Sequence, residues 1–462
     1  MAPHRNLTRD MTYGRPLPLI LGFALPLIFG NLFQQMYSMV DTIIVGRYLG
    51  VDALAAVGSV GSLQYLIIGF CLGSCAGMAI PIAQAFGAKD EVRLRKSVAS
   101  AAWLAGSMAI LMTIITCILC RHIIRWINTP ADIYDEAFGY LIVILLGLPA
   151  TVLYNMCSAV MRALGDSKRP LYFLMMSSGI NIVLDLVFII VFKLGCTGAA
   201  LATVISQLIS GLCCLLYMKK NLPIVHVRKE EWKPDFSLIG RIASMGFPMG
   251  LQNSITAIGN VVLSSAVNSL GAIAVASMTA AGKVNMMYNC AYDAMGNAMA
   301  TYCGQNLGAR KLSRIGKGLK LASITMVCYS IVGYVLLHFF GTTVALLFVS
   351  PEETEILNNV HTFLSINSAF CWMLVFVINV RYSIQGLGYS RYAVFAGIFE
   401  MVARSSIAFF LVPALGFVGA CFANCSAWVA ANAFLIPLYL FVMKKLRRTV
   451  EEVPDDTVYA AH

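Results

Sequence analysis

The chain has 462 residues, of which 59% are hydrophobic and only 12% are charged. Soluble domains carry charge on about 25% of their residues, so this composition excludes a water-soluble protein and indicates an integral membrane protein. A net charge of +11 can indicate a nucleic-acid partner, but here the basic residues are spread over the ends of predicted membrane helices. We therefore expect no nucleic-acid partner.

The N-terminus leads directly into the first of twelve apolar runs. Residues 1–16 are basic, and no small-residue cleavage site follows them, so we expect a retained first helix rather than a removed signal peptide. Each run is long enough for the roughly 20 residues that a membrane-spanning helix needs. The predicted spans are 17–48, 53–84, 97–120, 133–160, 170–193, 196–218, 238–268, 272–305, 319–341, 355–380, 392–412 and 417–443.

The distribution of positive charge predicts the orientation of these helices. Most of the 33 lysines and arginines lie at the two termini and in the connections that follow even-numbered helices. The other side of the membrane receives only Arg47, Arg121, Arg125 and Lys193. Because basic segments stay in the cytoplasm, we predict a multi-pass protein of the cell membrane with cytoplasmic tails at 1–16 and 444–462.

The second half of the sequence repeats the first. QAFGAKDEVRLRK at 84–96 recurs as QNLGARKLSRIGK at 305–317, and RALGDSKRP at 162–170 recurs as QGLGYSRYA at 385–393. An even number of helices in each half keeps both halves in one orientation, so the repeat is parallel. The predicted lobes are 17–218 and 237–443, joined by a polar cytoplasmic linker at 219–236.

The sequence has no P-loop or zinc-protease motif, so we expect no enzymatic activity and no cofactor. Cys117 and Cys120 form a CxxC pair, but cysteine in an apolar helix usually acts as a small hydrophobic residue. The two-lobe repeat favours a transporter that works by alternating access and is driven by an ion gradient. The doubled GxxxG of 69–77 predicts a close helix approach.

Oxygen-bearing side chains of the first half fall at one predicted depth. Asp41 on the first helix and Asp185 on the fifth each lie about eight residues, or roughly 12 Å, below the outer end of their helices. Tyr140 and Thr203 lie at the same depth, and Asn181 is one turn from Asp185. Such a layer can share a proton between two carboxyl groups, bind Na⁺, or only tie the helices together by hydrogen bonds.

Polar stripes on other helices are predicted to line a substrate cavity. One follows the face of Asp41 on the first helix at helical spacing, and another repeats every four residues on the eighth helix. The candidate cavity residues are Gln34, Tyr37, Ser38, Asn155, Asn289, Tyr292 and Asp293.

The second half has different charges. Positions 263, 404 and 408, which match Asp41, Asn181 and Asp185, are Leu, Arg and Ala. Glu400 and Arg404 are one turn apart and are predicted to form an internal salt bridge, while Lys283 is expected to find Asp293 or Glu400. Pro26 in the first helix permits either a movable bend or a static kink.

These features resemble the multidrug and toxic compound extrusion (MATE) family, in particular its DinF-like branch. The resemblance rests on ALPLIFGNLFQQMYSMVDTIIVGRYLG at 24–50, on GQNLGA at 304–309 and on the two six-helix lobes, and it extends over about 15–443. It implies an all-α membrane protein of twelve transmembrane helices in two pseudo-symmetric six-helix bundles, V-shaped with a central cavity.

The resemblance also implies a function. Members of the family are antiporters that export organic cations, often aromatic, against an inward flow of H⁺ or Na⁺, and a monomer in the lipid bilayer suffices. The residues that match the family's ion site and bending proline are Asp41, Asp185, Asn181, Tyr140, Thr203 and Pro26. Asn260, Asn268 and Asn379 are the polar residues nearest to the place where another branch has acids, so an ion site of that kind in the second lobe is not expected.

Other functions stay open at this point. A lipid-linked oligosaccharide flippase of the same superfamily tends to have more helices or a cationic cavity, whereas the first lobe here is acidic. An intramembrane enzyme needs a nucleophile and base or a metal constellation. A channel does not need a two-lobe repeat.

Overall fold

A computed structural model describes residues 8–126 and 130–453, and this part of the chain is helical without strands. The predicted all-α class is confirmed. Short 3-10 turns at Ala131–Ile133, Pro223–Val225 and Lys229–Trp232 connect some of the helices. The helices are α1 (Pro16–Leu49), α2 (Val51–Met78), α3 (Ile80–Gly87), α4 (Glu91–Trp126), α5 (Tyr134–Leu146), α6 (Leu148–Ala163), α7 (Lys168–Leu186), α8 (Gly195–Asn221), α9 (Phe236–Asn268), α10 (Ala272–Gly308), α11 (Leu312–Ala345), α12 (Thr354–Ala369), α13 (Cys371–Gly386), α14 (Ser390–Ser406), α15 (Val412–Leu415), α16 (Phe417–Cys421) and α17 (Ala423–Thr449).

Ten segments of the described chain are long and apolar enough to cross a membrane. Eight are single or nearly straight helices, and two are bent pairs, α5 with α6 and α12 with α13. Helices α9 and α10 have 33 and 37 residues, which is ample for a hydrocarbon core of about 30 Å. They are less apolar because residues such as Gln252, Asn260 and Asn289 interrupt them. With these two, the described chain has the twelve helical segments that the sequence predicts.

The backbone repeats where the sequence repeats. Lys89 and Arg310, at matching positions of the two basic loops, have φ angles of 56° and 57°. This left-handed region is uncommon for residues other than glycine, so its recurrence at matching positions supports the duplication. Two glycine pairs behave in the same way: Gly50 (93°) with Gly271 (97°), and Gly165 (84°) with Gly388 (86°).

Irregular turns inside the helices also recur. A π turn at Val187–Val191 follows α7, and another at Ile407–Leu411 follows α14. Helices α5 and α6 meet at 45°, and α12 and α13 meet at 51°. Gly147 is the residue at the first bend, and a side chain there would overlap Val204 of α8, so the bend is held by a close helix contact.

The described chain divides into two compact units. The first unit contains Phe29–Gly250 and residues 8–10, and the second contains Met11–Ile28 and the residues from Leu251 onward. The divisions fall inside α1 and α9, in each case two residues after a proline, Pro26 or Pro248. The lobes at 17–218 and 237–443 follow chain order and stay a prediction.

Small residues bring α2 close to the first half of α9 within the first unit. A Cβ atom on Gly77 would lie 2.6 Å from the carbonyl oxygen of Met245, and one on Gly250 would lie 2.5 Å from that of Phe70. Gly246 also faces α2, where a Cβ atom would lie 2.8 Å from Cγ of Met78. The close approach predicted from the glycines of 69–77 is confirmed.

The linker is fixed to α4 in the first unit. The guanidinium of Arg95 binds the carboxylate of Glu231 at 2.9 Å, and the indole nitrogen of Trp103 donates to the carbonyl oxygen of Trp232 at 3.0 Å. The backbone N–H of Arg228, together with Arg95, holds the pKa of Glu231 below its ordinary value. These contacts fix the end of the linker from which α9 begins.

The second unit holds the segment before α1 in a comparable way. Gln305 Oε1 accepts the backbone N–H of Met11 at 2.8 Å, and Arg314 Nη2 donates to the carbonyl oxygen of Met11 at 3.3 Å. Lys311 donates to the carbonyl oxygen of Thr12 at 3.1 Å. The basic loop between α10 and α11 is therefore covered by the segment that leads into α1.

Candidate ion-binding site

Two carboxyl groups meet inside the first unit. The side chains of Asp41 on α1 and Asp185 on α7 lie close enough to interact directly. Asp185 is fully buried and Asp41 is half-buried. Oδ1 of Asp41 is also buried, and it has no hydrogen-bond partner among the described residues. Two carboxylates this close repel each other, so the arrangement is suited to a shared proton or a bound cation.

Neutral oxygen and nitrogen donors surround the two carboxyl groups. Asn181, one turn before Asp185, donates through Nδ2 to the Thr203 hydroxyl at 3.3 Å. Thr203 donates in turn to the carbonyl oxygen of Ala199 at 3.1 Å, and the hydroxyl of Tyr37 also hydrogen-bonds to Thr203. Helices α1, α7 and α8 therefore contribute to one polar cluster, and Tyr37 belongs to it rather than only to a cavity wall.

Tyr140 contributes from a fourth helix, α5. Its hydroxyl donates to Oε1 of Gln64 on α2 at 3.3 Å, and its ring is buried. Asp41 and Asp185 both lie close enough to this hydroxyl to interact with it electrostatically. The structure thus brings together the five residues predicted for ion coupling. Gln64 is a further member that the sequence reasoning missed, because nothing in the sequence marked the depth of this amide on the second helix.

The backbone around the cluster is irregular. Asp185 lies two residues before the π turn at Val187–Val191, and such turns are frequent at functional sites. Tyr140 lies on the short helix that ends at the Gly147 bend. Asp41 lies beyond Pro26 on the part of α1 that belongs to the first unit. Asp41, Asp185 and Tyr140 are therefore carried by helices that a proline, a π turn or a bend interrupts.

The remaining cavity candidates of the first half are Gln34, Ser38 and Asn155. Gln34 and Ser38 are exposed on α1, and the backbone carbonyl oxygen of Ser38 accepts the Thr42 hydroxyl at 2.8 Å. Asn155 on α6 donates to the carbonyl oxygen of Thr151 in its own helix at 2.8 Å. Their predicted role in the substrate cavity stays a prediction.

In the second unit, the polar row of α10 is split between core and surface. Tyr292 is 1% exposed, and its hydroxyl is hydrogen-bonded to Tyr288 at 2.9 Å and to Ser330 at 2.8 Å. Asp293 is exposed and Asn289 is half-buried. Of the three α10 candidates for the substrate cavity, Tyr292 is therefore engaged in the core.

The predicted pair of Glu400 with Arg404 requires a correction. Glu400 forms its salt bridge with Arg381 of α13, and both side chains are buried. The predicted span ends at 380, which puts Arg381 in a loop, whereas α13 continues to Gly386. Arg404 is buried in the same unit. Lys283 is exposed and makes no ion pair within the part of the chain that the structure describes.

Comparisons with known proteins give a consistent result. The family model of MatE matches this chain twice, at 26–187 and at 248–410, once in each half of the repeat. The probable multidrug resistance protein YoeA of Bacillus subtilis is 29% identical over 339 residues, which cover 72% of this chain and 73% of that protein. The multidrug export protein MepA of Staphylococcus aureus is 25% identical over 261 residues, or 56% of this chain and 57% of that protein.

Solved structures show the same fold. A crystal structure of MATE in complex with MaL6 matches 97% of this chain and all of that chain, with a TM-score of 0.89 and 23% identity. A crystal structure of MATE in the straight conformation matches to the same extent with a TM-score of 0.88. The two-bundle, twelve-helix architecture predicted from the sequence is therefore confirmed.

Proposed function

This chain belongs to the MatE family of membrane transporters, and we propose that it exports small organic cations in exchange for H⁺ or Na⁺ moving inward. Its relatives in B. subtilis and S. aureus are named as multidrug resistance and multidrug export proteins, which supports a small-molecule substrate. The observation that carries the proposal is the contact between the carboxyl groups of Asp41 and Asp185.

We assign this contact to an ion-loaded state of the site. With a proton shared between the two carboxyl groups, or with Na⁺ held by them and by the side-chain oxygens of Asn181 and Thr203, the carboxyl groups can stay together. When the ion leaves, two negative charges face each other and must separate or find another cation. A cationic substrate then meets a negative site that the ion no longer neutralises.

Mutual exclusion of ion and substrate gives the exchange. The ion neutralises Asp41 and releases the organic cation, and departure of the ion restores the charge that attracts the next one. In the orientation predicted from the basic loops, both termini are cytoplasmic, so ions enter from the outside and substrate leaves the cell. Because alternating access requires no second copy of the chain, a monomer suffices.

Pro26 links this chemistry to movement of α1. Proline removes one backbone hydrogen bond from the helix, and here it lies close to the position where α1 passes from the second unit to the first. We assign it the role of a bend that responds to the charge on Asp41. Pro26→Ala should then slow transport without abolishing binding of a cationic dye. Normal transport by this variant would contradict the role of Pro26.

The experiment is export of a fluorescent cationic dye by the reconstituted full chain. A pH gradient is imposed in Na⁺-free medium, and a Na⁺ gradient is imposed in separate vesicles. Asp41→Asn and Asp185→Asn remove the charges with little change in shape, and both should abolish gradient-driven export. Asp52→Asn changes an exposed carboxylate at the start of α2 and should leave export unchanged.

The outcomes separate the alternatives. Export driven by the pH gradient alone identifies H⁺ as the coupling ion, and export that appears only with Na⁺ identifies a sodium site made of the same oxygens. Normal export by Asp41→Asn would contradict the proposal. Failure of the unmodified chain under both gradients would also contradict it and would favour a gradient-independent lipid flippase.

A further inference from the structure

The first unit has a second polar site, at the end where α4 and α9 begin. A cavity of about 440 Å³ opens there between the starts of the two helices and the turns that precede them. We call it the linker pocket, because the linker supplies one of its walls. Its polar lining consists of Asp90, Arg93, Lys96, Asp235, Ser237 and Arg241.

Three positive side chains face this pocket without forming a salt bridge among the described residues. They are Arg93, Lys96 and Arg241. The charges of Arg93 and Arg241 are close enough to repel each other. Repulsion between two guanidinium groups that line one cavity is relieved when an anion binds between them.

The two carboxylates of the linker pocket are engaged elsewhere. Oδ1 of Asp90 accepts the backbone N–H of Arg93 at 2.9 Å, and Oδ1 of Asp235 accepts the backbone N–H of Leu238 at 3.0 Å. Both acids therefore act as caps at the start of α4 and α9. They lower the net positive charge of the pocket but leave its three cations available.

Arg95 on the same helix has a structural role and can be compared with Arg93 and Lys96. It is buried, and it binds Glu231 at 2.9 Å and Glu91 at 3.4 Å. Arg93 and Lys96 have no such partners, although carboxylates line the cavity that they face. The contrast indicates that the cations of the pocket are not there to hold the linker.

The repeat provides a second comparison. Arg314 occupies the position in α11 that Arg93 occupies in α4. It is fully buried and binds Oδ1 of Asn306 at 3.0 Å and the carbonyl oxygen of Met11 at 3.3 Å. In the second unit, oxygen atoms of the chain itself therefore satisfy the arginine. In the first unit the matching arginine is half-buried and faces a cavity that the oxygen atoms of a ligand can enter.

Exposed aromatic residues near the pocket indicate the source of that ligand. Trp103 lies seven residues beyond Lys96 along α4 and packs against Trp232 with ring centroids 6.5 Å apart. The exposed fractions are 47% for Trp103, 44% for Trp232 and 82% for Phe236. Tryptophan and other large aromatic side chains are typical of the boundary between lipid headgroups and acyl chains.

We propose that the linker pocket binds the phosphate-bearing headgroup of an anionic phospholipid, held by Arg93, Lys96 and Arg241. The aromatic residues contact the glycerol and the upper acyl chains of the same lipid. Clusters of basic residues at the membrane surface attract anionic lipids by about 1 kcal/mol for each lysine or arginine. The orientation predicted from the sequence places this lipid in the cytoplasmic leaflet.

The test is a lipid titration of the purified full chain in detergent, followed by native mass spectrometry. Phosphatidylglycerol should bind more tightly than zwitterionic phosphatidylethanolamine. Arg93→Gln with Arg241→Gln should weaken phosphatidylglycerol binding roughly 25-fold, which corresponds to about fivefold for each cation. Lys96→Gln should weaken it about fivefold, and the matched control Lys317→Gln, at the equivalent exposed position of α11, should not change it.

A variant that is expected to bind more tightly distinguishes loss of the site from misfolding. Asp90→Asn with Asp235→Asn removes the negative charge of the pocket but keeps a side chain that caps a helix equally well. This double variant should bind phosphatidylglycerol several-fold more tightly, a result that misfolding cannot produce.

Three results would overturn the proposal. Equal affinity for phosphatidylglycerol and phosphatidylethanolamine would show that the pocket does not select an anionic headgroup. An equal loss of phosphatidylglycerol affinity in Lys96→Gln and Lys317→Gln would show that the lipid does not bind at the linker pocket. Glycerol 3-phosphate that binds as tightly as phosphatidylglycerol would assign the pocket to a soluble phosphate instead of a lipid.

Discussion

The crossing of α2 and α9 predicts the effect of a single methyl group on stability. Replacing Gly250 by alanine places Cβ against the Ser74 hydroxyl and 2.5 Å from the carbonyl oxygen of Phe70. The hydroxyl can rotate away, but the carbonyl oxygen is part of the α2 backbone, so the two helices must separate. Overpacking of this kind typically costs about 1–3 kcal/mol.

Gly240 is the matched control on the same helix. A Cβ atom there meets nothing within 4 Å, so Gly240→Ala should gain up to about 1 kcal/mol from the higher helix propensity of alanine. Gly250→Ala receives the same gain because both residues lie within α9. The difference between the two variants therefore isolates the overpacking, and it should be about 1–3 kcal/mol.

Thermal unfolding in detergent, followed by circular dichroism, measures this difference. We expect Gly250→Ala to unfold several degrees below Gly240→Ala, since about 1 kcal/mol shifts the midpoint by roughly 2–4 °C in a chain of a few hundred residues. If Gly250→Ala unfolds at or above the midpoint of Gly240→Ala, the close contact between α2 and α9 does not hold the helices together as we infer.

Two predictions concern charges outside the ion site. Glu400→Gln removes the carboxylate that pairs with the buried Arg381 and should lower the free energy of unfolding by about 3–5 kcal/mol. Arg381→Met with Glu400→Leu should recover most of this loss in denaturant titrations, and an equal loss in the double variant would contradict the prediction. The lowered pKa of Glu231 contributes stability that is fully present above its ordinary value of 4.5 and is lost as the pH falls through its folded value. Glu231→Gln should therefore lower the unfolding midpoint at pH 7 by an amount that disappears in acid, whereas Glu230→Gln, an exposed neighbour, should not; a difference that does not depend on pH would contradict the assignment.

The features that repeat or that depend on depth along a helix could be predicted from the sequence. The proximity of Asp41 and Asp185 could be predicted because the number of residues to the end of each helix gives the depth of each side chain, at 1.5 Å per residue. Asn181 lies one helical turn before Asp185 and therefore on the same face of the helix. Its hydrogen bond to Thr203 is the contact expected at that depth. Apolar runs and repeated loops similarly predicted the helices and their duplication.

The partners that depend on helix ends and helix faces could not be predicted. Arg381 was missed because α13 extends beyond the apolar run that predicted it, and charged residues at helix ends are read as loop. Gln64 was missed because one amide on a long apolar helix has no periodic signal. The division of α1 and α9 between units depends on packing against other helices, which composition does not specify.

The two halves together show that the acidic pair is not needed to build the fold. The two halves share several left-handed positions, one helix bend and one π turn at matching places. The second half, however, has Leu263 where the first has Asp41 and Ala408 where it has Asp185. Ala408 is buried, and Leu263 packs in an apolar cluster of the second unit. The same fold therefore packs with leucine and alanine at these positions, so carboxyl groups are not needed there for packing. Loss of transport in Asp41→Asn, with an unchanged unfolding midpoint, would therefore report on the chemistry of the ion site and not on the stability of the bundle.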